Sequence, residues 1–219
     1  MILLKLNKSD IYTSVFFNDY DDFKVNFEKN LQKSDNYEIR FDLFGKKDSH
    51  TLNNVLDYLL KNDINYIFTY RSQNNEELLD VYDKAINISP IIDVDINSYN
   101  FKRELFNRSK LMLSFHGNND DNVGKIVNTM LSVKPDIYKI ALNYSDLNKF
   151  LDDMQYLMKF KSETGNKIAF IPMGEENSFL RVVSGFFLSD IMYASYRFNT
   201  APGQLSLEDY MDIYRIFKL

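Results

Sequence analysis

A lysine set inside an apolar run can do chemistry that a surface lysine cannot, and Lys139 lies between Ile137-Tyr138 and Ile140-Ala141. Enclosure by apolar neighbours, with arginines nearby, would favour its free amine, the form that condenses with a ketone to give an imine. The competing reading is a side chain that snorkels off a strand to water, and periodicity does not choose between the two. His116 follows a second apolar run and is one of only two histidines in the chain. A neutral imidazole at that point can take and return protons near neutral pH. Taken alone, His116 would be read as a core histidine satisfied by hydrogen bonds. Its place among other polar strand ends makes it the candidate general acid/base. His50, after Lys46-Lys47-Asp48, reads as a solvated or helix-start residue.

Other polar residues interrupt or end apolar runs in the same way. Glu38-Ile39-Arg40-Phe41-Asp42 alternates, so a strand would put its three charged side chains on one face. Charges facing a packed interior require partners or a polar ligand, because desolvating each without one costs several kcal/mol. The alternative is an edge strand with a solvated face. Thr69-Tyr70-Arg71, Asp93-Val94-Asp95 and Ser114-Phe115-His116 likewise lie at or near the ends of apolar runs.

The elements that must position these residues alternate regularly. Strand-length apolar runs fall at Ile11–Phe17, Tyr37–Phe41, Tyr66–Tyr70, Ile91–Val94, Leu111–Phe115, Ile137–Ala141, Lys167–Ile171 and Asp190–Ser195, eight in all. Between them lie segments of helical spacing. One is Leu52–Leu60, with Leu52, Val55, Leu56, Leu59 and Leu60 on one face; another is Leu147–Phe160, with Leu147, Phe150, Leu151, Met154, Leu157 and Met158. A last helix over Leu205–Phe217 opens with Ser206 and, three residues on, Asp209, in the manner of a capping box. Eight strand–helix units predict a mainly parallel sheet closed into a (β/α)8 TIM barrel, a single domain over residues 1–219, with a doubly wound open sheet as the alternative. In such a barrel the chemistry gathers at the C-terminal ends of the strands. Met1–Leu6 is expected to form an extra strand or to cover the barrel bottom.

Composition excludes several function classes. The 219 residues, 45% hydrophobic and 15% aromatic, suffice for one well-buried core. A net charge of -5 gives no global basic surface for phosphates, so nucleic acid is not an expected partner. With no cysteine, disulfides, thiolate metal sites and cysteine nucleophiles are excluded, and a reducing, cytoplasmic setting fits. The N-terminus lacks a signal-peptide core and the apolar stretch Val182–Tyr196 is broken by Asp190, so a soluble protein with no membrane partner is expected. The carboxylates lack compact ligand spacing and no glycine-rich phosphate loop occurs, so neither a metal nor a redox cofactor is called for.

Six motifs in order resemble one family over nearly the whole chain. They are Glu38-Ile39-Arg40-Phe41-Asp42, Thr69-Tyr70-Arg71, Ser114-Phe115-His116, Lys139-Ile140-Ala141, Met173-Gly174 with Arg181 seven residues after the glycine, and Ala201-Pro202-Gly203-Gln204. Each is weak alone; in this order they are similar to the type I 3-dehydroquinate dehydratases of the shikimate pathway. The resemblance implies an imine between Lys139 and the ketone of 3-dehydroquinate, His116 as general acid/base, and 3-dehydroshikimate and water as products. It implies that Arg181 binds the substrate carboxylate with help from Gln204, an assignment that suits the planar guanidinium fork. It further implies that Glu38, Arg40 and Arg71, joined by Ser14, hold the hydroxyl-bearing side, that Thr200 keeps the hydroxyl of the family's serine, and that the protein is a homodimer. Exposed apolar residues around Phe186-Phe187-Leu188 or Tyr210–Leu219 are the expected interface.

Several positions depart from the family pattern. The glutamate that follows the third-strand arginine by four residues, and that orients the histidine, is Asn75 here, followed by Glu76-Glu77. Glu76, Asp93 or Asp95 could take that role, or nothing does. The family's Asp-x-Glu is Asp93-Val94-Asp95, its second glycine after Met173-Gly174 is Asn177, and Leu180 replaces a serine. Two competing functions share parts of this set. A Schiff-base aldolase would use the lysine but gives no reason for Arg181 or Ala201-Pro202-Gly203-Gln204. A degenerate, non-catalytic barrel acting as a binding module draws support from the missing glutamate alone.

Overall fold

A computed structural model describes residues 8–29, 34–98, 102–196 and 199–217; the extra strand or cover expected at Met1–Leu6 lies outside them. Eight strands run β1 (Asp10–Val15), β2 (Asn36–Arg40), β3 (Asn65–Thr69), β4 (Ile91–Asp95), β5 (Lys110–Asn118), β6 (Ile137–Asn143), β7 (Lys167–Met173) and β8 (Ile191–Ser195). Among the described residues seven α-helices follow strands, α1 (Tyr20–Glu28), α2 (Ser49–Lys61), α3 (Asn75–Ala85), α4 (Val123–Val133), α5 (Leu147–Thr164), α6 (Ser178–Phe187) and α7 (Leu207–Phe217); in place of the helix expected between β4 and β5 they show 3-10 turns at Ile96–Ser98 and Arg103–Phe106. The ladders are parallel and run β7-β6-β5-β4-β3-β2-β1-β8, which wraps the sheet into the expected (β/α)8 barrel. At the seam between β7 and β8 the chain is joined by Asp190 N–H to Ile168 O (2.7 Å), Ile168 N–H to the Asp190 carboxylate (2.9 Å) and Phe170 N–H to Ser189 Oγ (3.0 Å).

Strand parity builds the interior in layers. The lowest inward layer is apolar, with Tyr12, Ile67, Ile91, Met112, Ile137, Ala169 and Ile191 packed together. Two residues along, the same face of β1, β3, β4, β5 and β6 turns polar, at Ser14, Thr69, Asp93, Ser114 and Lys139, with Glu38 of β2 beside them, all buried, while β7 and β8 place Ile171 and Tyr193 there. The opposite faces carry Ile39, Phe68, Ile92 and Val94 into one outer core, and Leu113, Tyr138, Ile140, Ile168 and Phe170 into another, under the helices. Burying these aliphatic and aromatic side chains contributes about 1.5–3 kcal/mol each, which allows the polar layer to be retained in the middle of the barrel.

Several expectations needed adjustment. The charged second-strand motif does not stay in one strand: β2 stops at Arg40 and Phe41–Leu43 turns into a 3-10 helix, so Asp42 leaves the ladder and pairs with Arg40 from outside it. In α2 Leu52, Val55, Leu56 and Leu59 are buried but Leu60 is 60% exposed; in α5 Leu147, Leu151 and Met158 are also exposed. The buried stripe is narrower than the apolar stripe because a helix over a curved barrel touches the sheet along one line. Phe186 and Leu188 are buried within the subunit, so of that trio only Phe187 faces outward; in α7 Tyr210 and Tyr214 are buried while Met211, Ile216 and Phe217 are exposed. The cap of α7 follows the expectation, with Ser206 Oγ and N–H on the Asp209 carboxylate and Asp209 N–H on Ser206 Oγ. His50 sits exposed in the first turn of α2 against Asn54. No helix among the described residues is long and apolar enough to cross a membrane.

Candidate active site

A cavity of about 450 Å³ opens at the C-terminal ends of the strands. Ser14, Glu38, Arg40, Arg71, His116, Lys139, Arg181, Thr200 and Gln204, all nine residues singled out from the sequence, line it. Thr69, Asp95 and Tyr193 line it as well.

Lys139 lies on the polar layer, its Nζ 2.7 Å from Asp93 Oδ2 and 3.4 Å from Glu38 Oε1, and 4.2 Å from the centre of the Tyr193 ring. Its side chain is 7% exposed and that of Asp93 fully buried. Arg71 reaches the other oxygen of Asp93 (2.9 Å), the Asp93 carbonyl (3.1 Å) and Ser114 Oγ (2.9 Å). The sequence led us to expect arginines beside the lysine; Arg71 is there, but on the far side of a shared carboxylate. Burial pushes the Asp93 carboxyl up, yet the charges of Arg71 and Lys139 outweigh it and hold it far below the usual carboxylate range. Glu38 behaves alike: burial raises it, and Lys139, Arg40 and the Ser14 hydroxyl more than reverse that. Removing one member of such a buried set costs about 3–5 kcal/mol, because the partner charge is left unpaired.

His116 stands one inward layer higher. The register pairs Ser114 with Lys139 and His116 with Ala141, so the imidazole is carried on the adjacent strand two residues above the lysine, about 7 Å further along the strand. Its Nδ1 is 3.2 Å from Asp95 Oδ2. Asn75 is exposed at the start of α3, and Glu77 is bound by the Tyr70 and Ser72 hydroxyls.

The other wall is made by the loop after β8. Gln204 Oε1 accepts from the Thr200 N–H and hydroxyl, each at 2.9 Å, while Gln204 Nε2 donates to Ser14 Oγ at 3.1 Å. Ser14 in turn donates to Glu38 Oε2 at 2.6 Å, and Thr69 to Glu38 Oε1 at 3.1 Å. A continuous chain of hydrogen bonds therefore links the loop to Lys139. Arg181, 4% exposed on α6, donates to the Pro202 carbonyl (2.8 Å), but its buried Nε has no partner among the described residues. Burial lowers its proton affinity, opposed only in part by the nearby Tyr210 hydroxyl. A buried cation left in that state is a receptor for an anionic group.

Sequence reasoning weighed Asp93 only as a possible partner of His116, noted Thr69 only as a motif member and missed Tyr193. All three carry a readable signal: each falls on the same parity as a residue already chosen or as an inward apolar neighbour, Asp93 with Ile91, Thr69 with Ile67, Tyr193 with Ile191. Among the described residues no cluster of three or more His, Asp or Glu side chains is placed to hold a metal ion.

Residues 11–219 match the family model described as Type I 3-dehydroquinase. The chain is 34% identical over 209 residues to the 3-dehydroquinate dehydratase of Thermoplasma volcanium, covering 94% of this chain and 89% of that protein. It is 30% identical over 215 residues to the enzyme of the same name from Thermoplasma acidophilum, covering 95% and 89%. Among solved structures, the 3-dehydroquinate dehydratase of Geobacillus kaustophilus superposes with a TM-score of 0.83 at 19% identity, over 96% of this chain and 91% of that one, which agrees with the barrel fold.

Proposed function

The chain belongs to the type I 3-dehydroquinase family, a hydro-lyase family, and from that membership we propose that it dehydrates 3-dehydroquinate through an imine on Lys139 with His116 moving the protons. The observation that carries the proposal is the vertical order of the cavity: a buried lysine on the polar layer, a histidine one layer above it, and an unpaired buried guanidinium on the opposite wall.

Each part suits a step. Lys139 gives up one proton and its amine adds to the ketone carbon; the proton returns as water leaves, so ammonium and ketone become iminium and water, and the iminium is an electron sink that acidifies the neighbouring C–H. His116 takes that proton; the resulting enamine expels the β-hydroxyl, to which the imidazolium returns the proton, so one water leaves. Hydrolysis of the product imine consumes a water and frees Lys139. Asp93 and Glu38, held anionic, stabilise the iminium where the ammonium stood before. The carboxylate of the substrate completes Arg181, and Gln204 with Thr200 closes that side. Arg40, Arg71, Glu38 and Ser14 offer donors and acceptors to the hydroxyls.

Neither competing function accounts for the arrangement as well. An aldolase gives no use to the unpaired Arg181, and a binding module gives none to a lysine held against two carboxylates below a histidine. Conversion of 3-dehydroquinate to 3-dehydroshikimate, followed by absorbance of the conjugated product, tests the reading, with His116→Ala and Lys139→Ala each expected to abolish turnover.

A further inference from the structure

We propose that Asp95 is the positioning residue for His116: it fixes the imidazole with its proton on Nδ1 and leaves Nε2 bare toward the cavity. The inference rests on the reading of His116 as the base in the dehydration. It assigns that task to the last residue of β4, since the α3 start, where Asn75 stands, holds no carboxylate near the ring.

The geometry limits the candidates. Asp93 is committed to Lys139 and Arg71, and Glu77 to Tyr70 and Ser72. Glu76 is exposed on α3 and does not line the cavity. Asp95 alone of these reaches the ring, Oδ2 to Nδ1 at 3.2 Å. Its other oxygen accepts the Asn97 N–H at 2.9 Å, so the carboxylate is anchored to its own backbone before it meets the histidine. Burial pushes the Asp95 carboxyl up, but the hydrogen bonds from His116 and Asn97 and the charge of Arg71 outweigh it and keep it ionised. An ionised carboxylate has only acceptor sites, so the nitrogen facing it must carry the proton. The other nitrogen of a neutral ring is then an acceptor, which is what a base requires. Parity supplies the placement: Asp95 pairs with Ser114 in the ladder, and His116 is two residues beyond Ser114 on the same face.

The test separates orientation from substrate contact and from imine chemistry. The ring nitrogens of His116 are read by 15N NMR without substrate, in a His50→Gln background so that one histidine remains. The expected spectrum has the neutral ring protonated on Nδ1. In Asp95→Asn, whose amide can donate, the proton is expected to move to Nε2. With 3-dehydroquinate, Asp95→Asn should lose about 10–100-fold in kcat with KM within about threefold, the range for partners that orient a functional histidine. Asp95→Glu should recover most of that loss, and borohydride should still trap substrate on the lysine. An unchanged tautomer in Asp95→Asn overturns the proposal. So does a rise in KM shared equally by Asn and Glu variants, which would make Asp95 a substrate contact. Failure to trap any adduct on the unmodified protein would count against the imine reading instead, and the substrate-free spectra would still decide the role of Asp95.

Discussion

Lys139 Nζ and Asp93 Oδ2 are 2.7 Å apart at the floor of the cavity, and the same carboxylate holds Arg71 on its other oxygen. One buried anion thus fixes two cations, Lys139 on β6 and Arg71 just beyond the end of β3, and through them the two layers of the site.

Replacing Asp93 by Asn is expected to destabilise the fold by about 3–5 kcal/mol, because two buried cations lose their shared counter-charge. Urea unfolding measures it. The carboxyl is held far below its unfolded value of about 3.9, so its contribution is complete above that value and is lost as pH falls below about 4. The parent should therefore lose stability more steeply than Asp93→Asn over that acid range.

Arg181→Met should separate binding from stability. Among the described residues the buried guanidinium has no carboxylate partner, so an apolar side chain of similar length is expected to leave unfolding midpoints unchanged or raised, while KM for 3-dehydroquinate rises at least about tenfold. Paired thermal melts and steady-state kinetics check both halves. A variant that lost stability and kept KM would show the arginine to be structural.

Gly203→Ala should impair the loop after β8. Gly203 has a φ of 70°, and an added Cβ would meet the Gly174 carbonyl oxygen at 2.0 Å. The loop must shift, and Gln204 and the Pro202 carbonyl with it, so kcat/KM is expected to fall by about 10-fold or more while the core, which lies below, keeps its far-UV circular dichroism.

The barrel was legible because period-two runs alternated with helical ones, and the strands at Ile91–Val94 and Ile137–Ala141 fall inside the observed elements. Strand ends were harder to read. β5 runs on to Asn118, because His116-Gly117-Asn118 continues the ladder with Ala141-Leu142-Asn143 although its own composition is polar. β2 ends early because Phe41 is drawn into the outer core with Phe44 and Phe68. Lys139 and His116 could be found from their types and places, but the partners of Lys139 could not: Asp93 lies 46 residues away and Glu38 lies 101, and only closure of the barrel brings them together. The orphaned Nε of Arg181 is equally invisible in sequence, since it depends on what the neighbouring loops fail to supply.

The central claim is that Lys139 forms the covalent intermediate. Incubation with 3-dehydroquinate, reduction by borohydride and peptide mass spectrometry should place a reduced adduct on Lys139, absent in Lys139→Ala, alongside released 3-dehydroshikimate. Well-folded protein giving no adduct and no product would contradict the account and favour a barrel that binds without turnover.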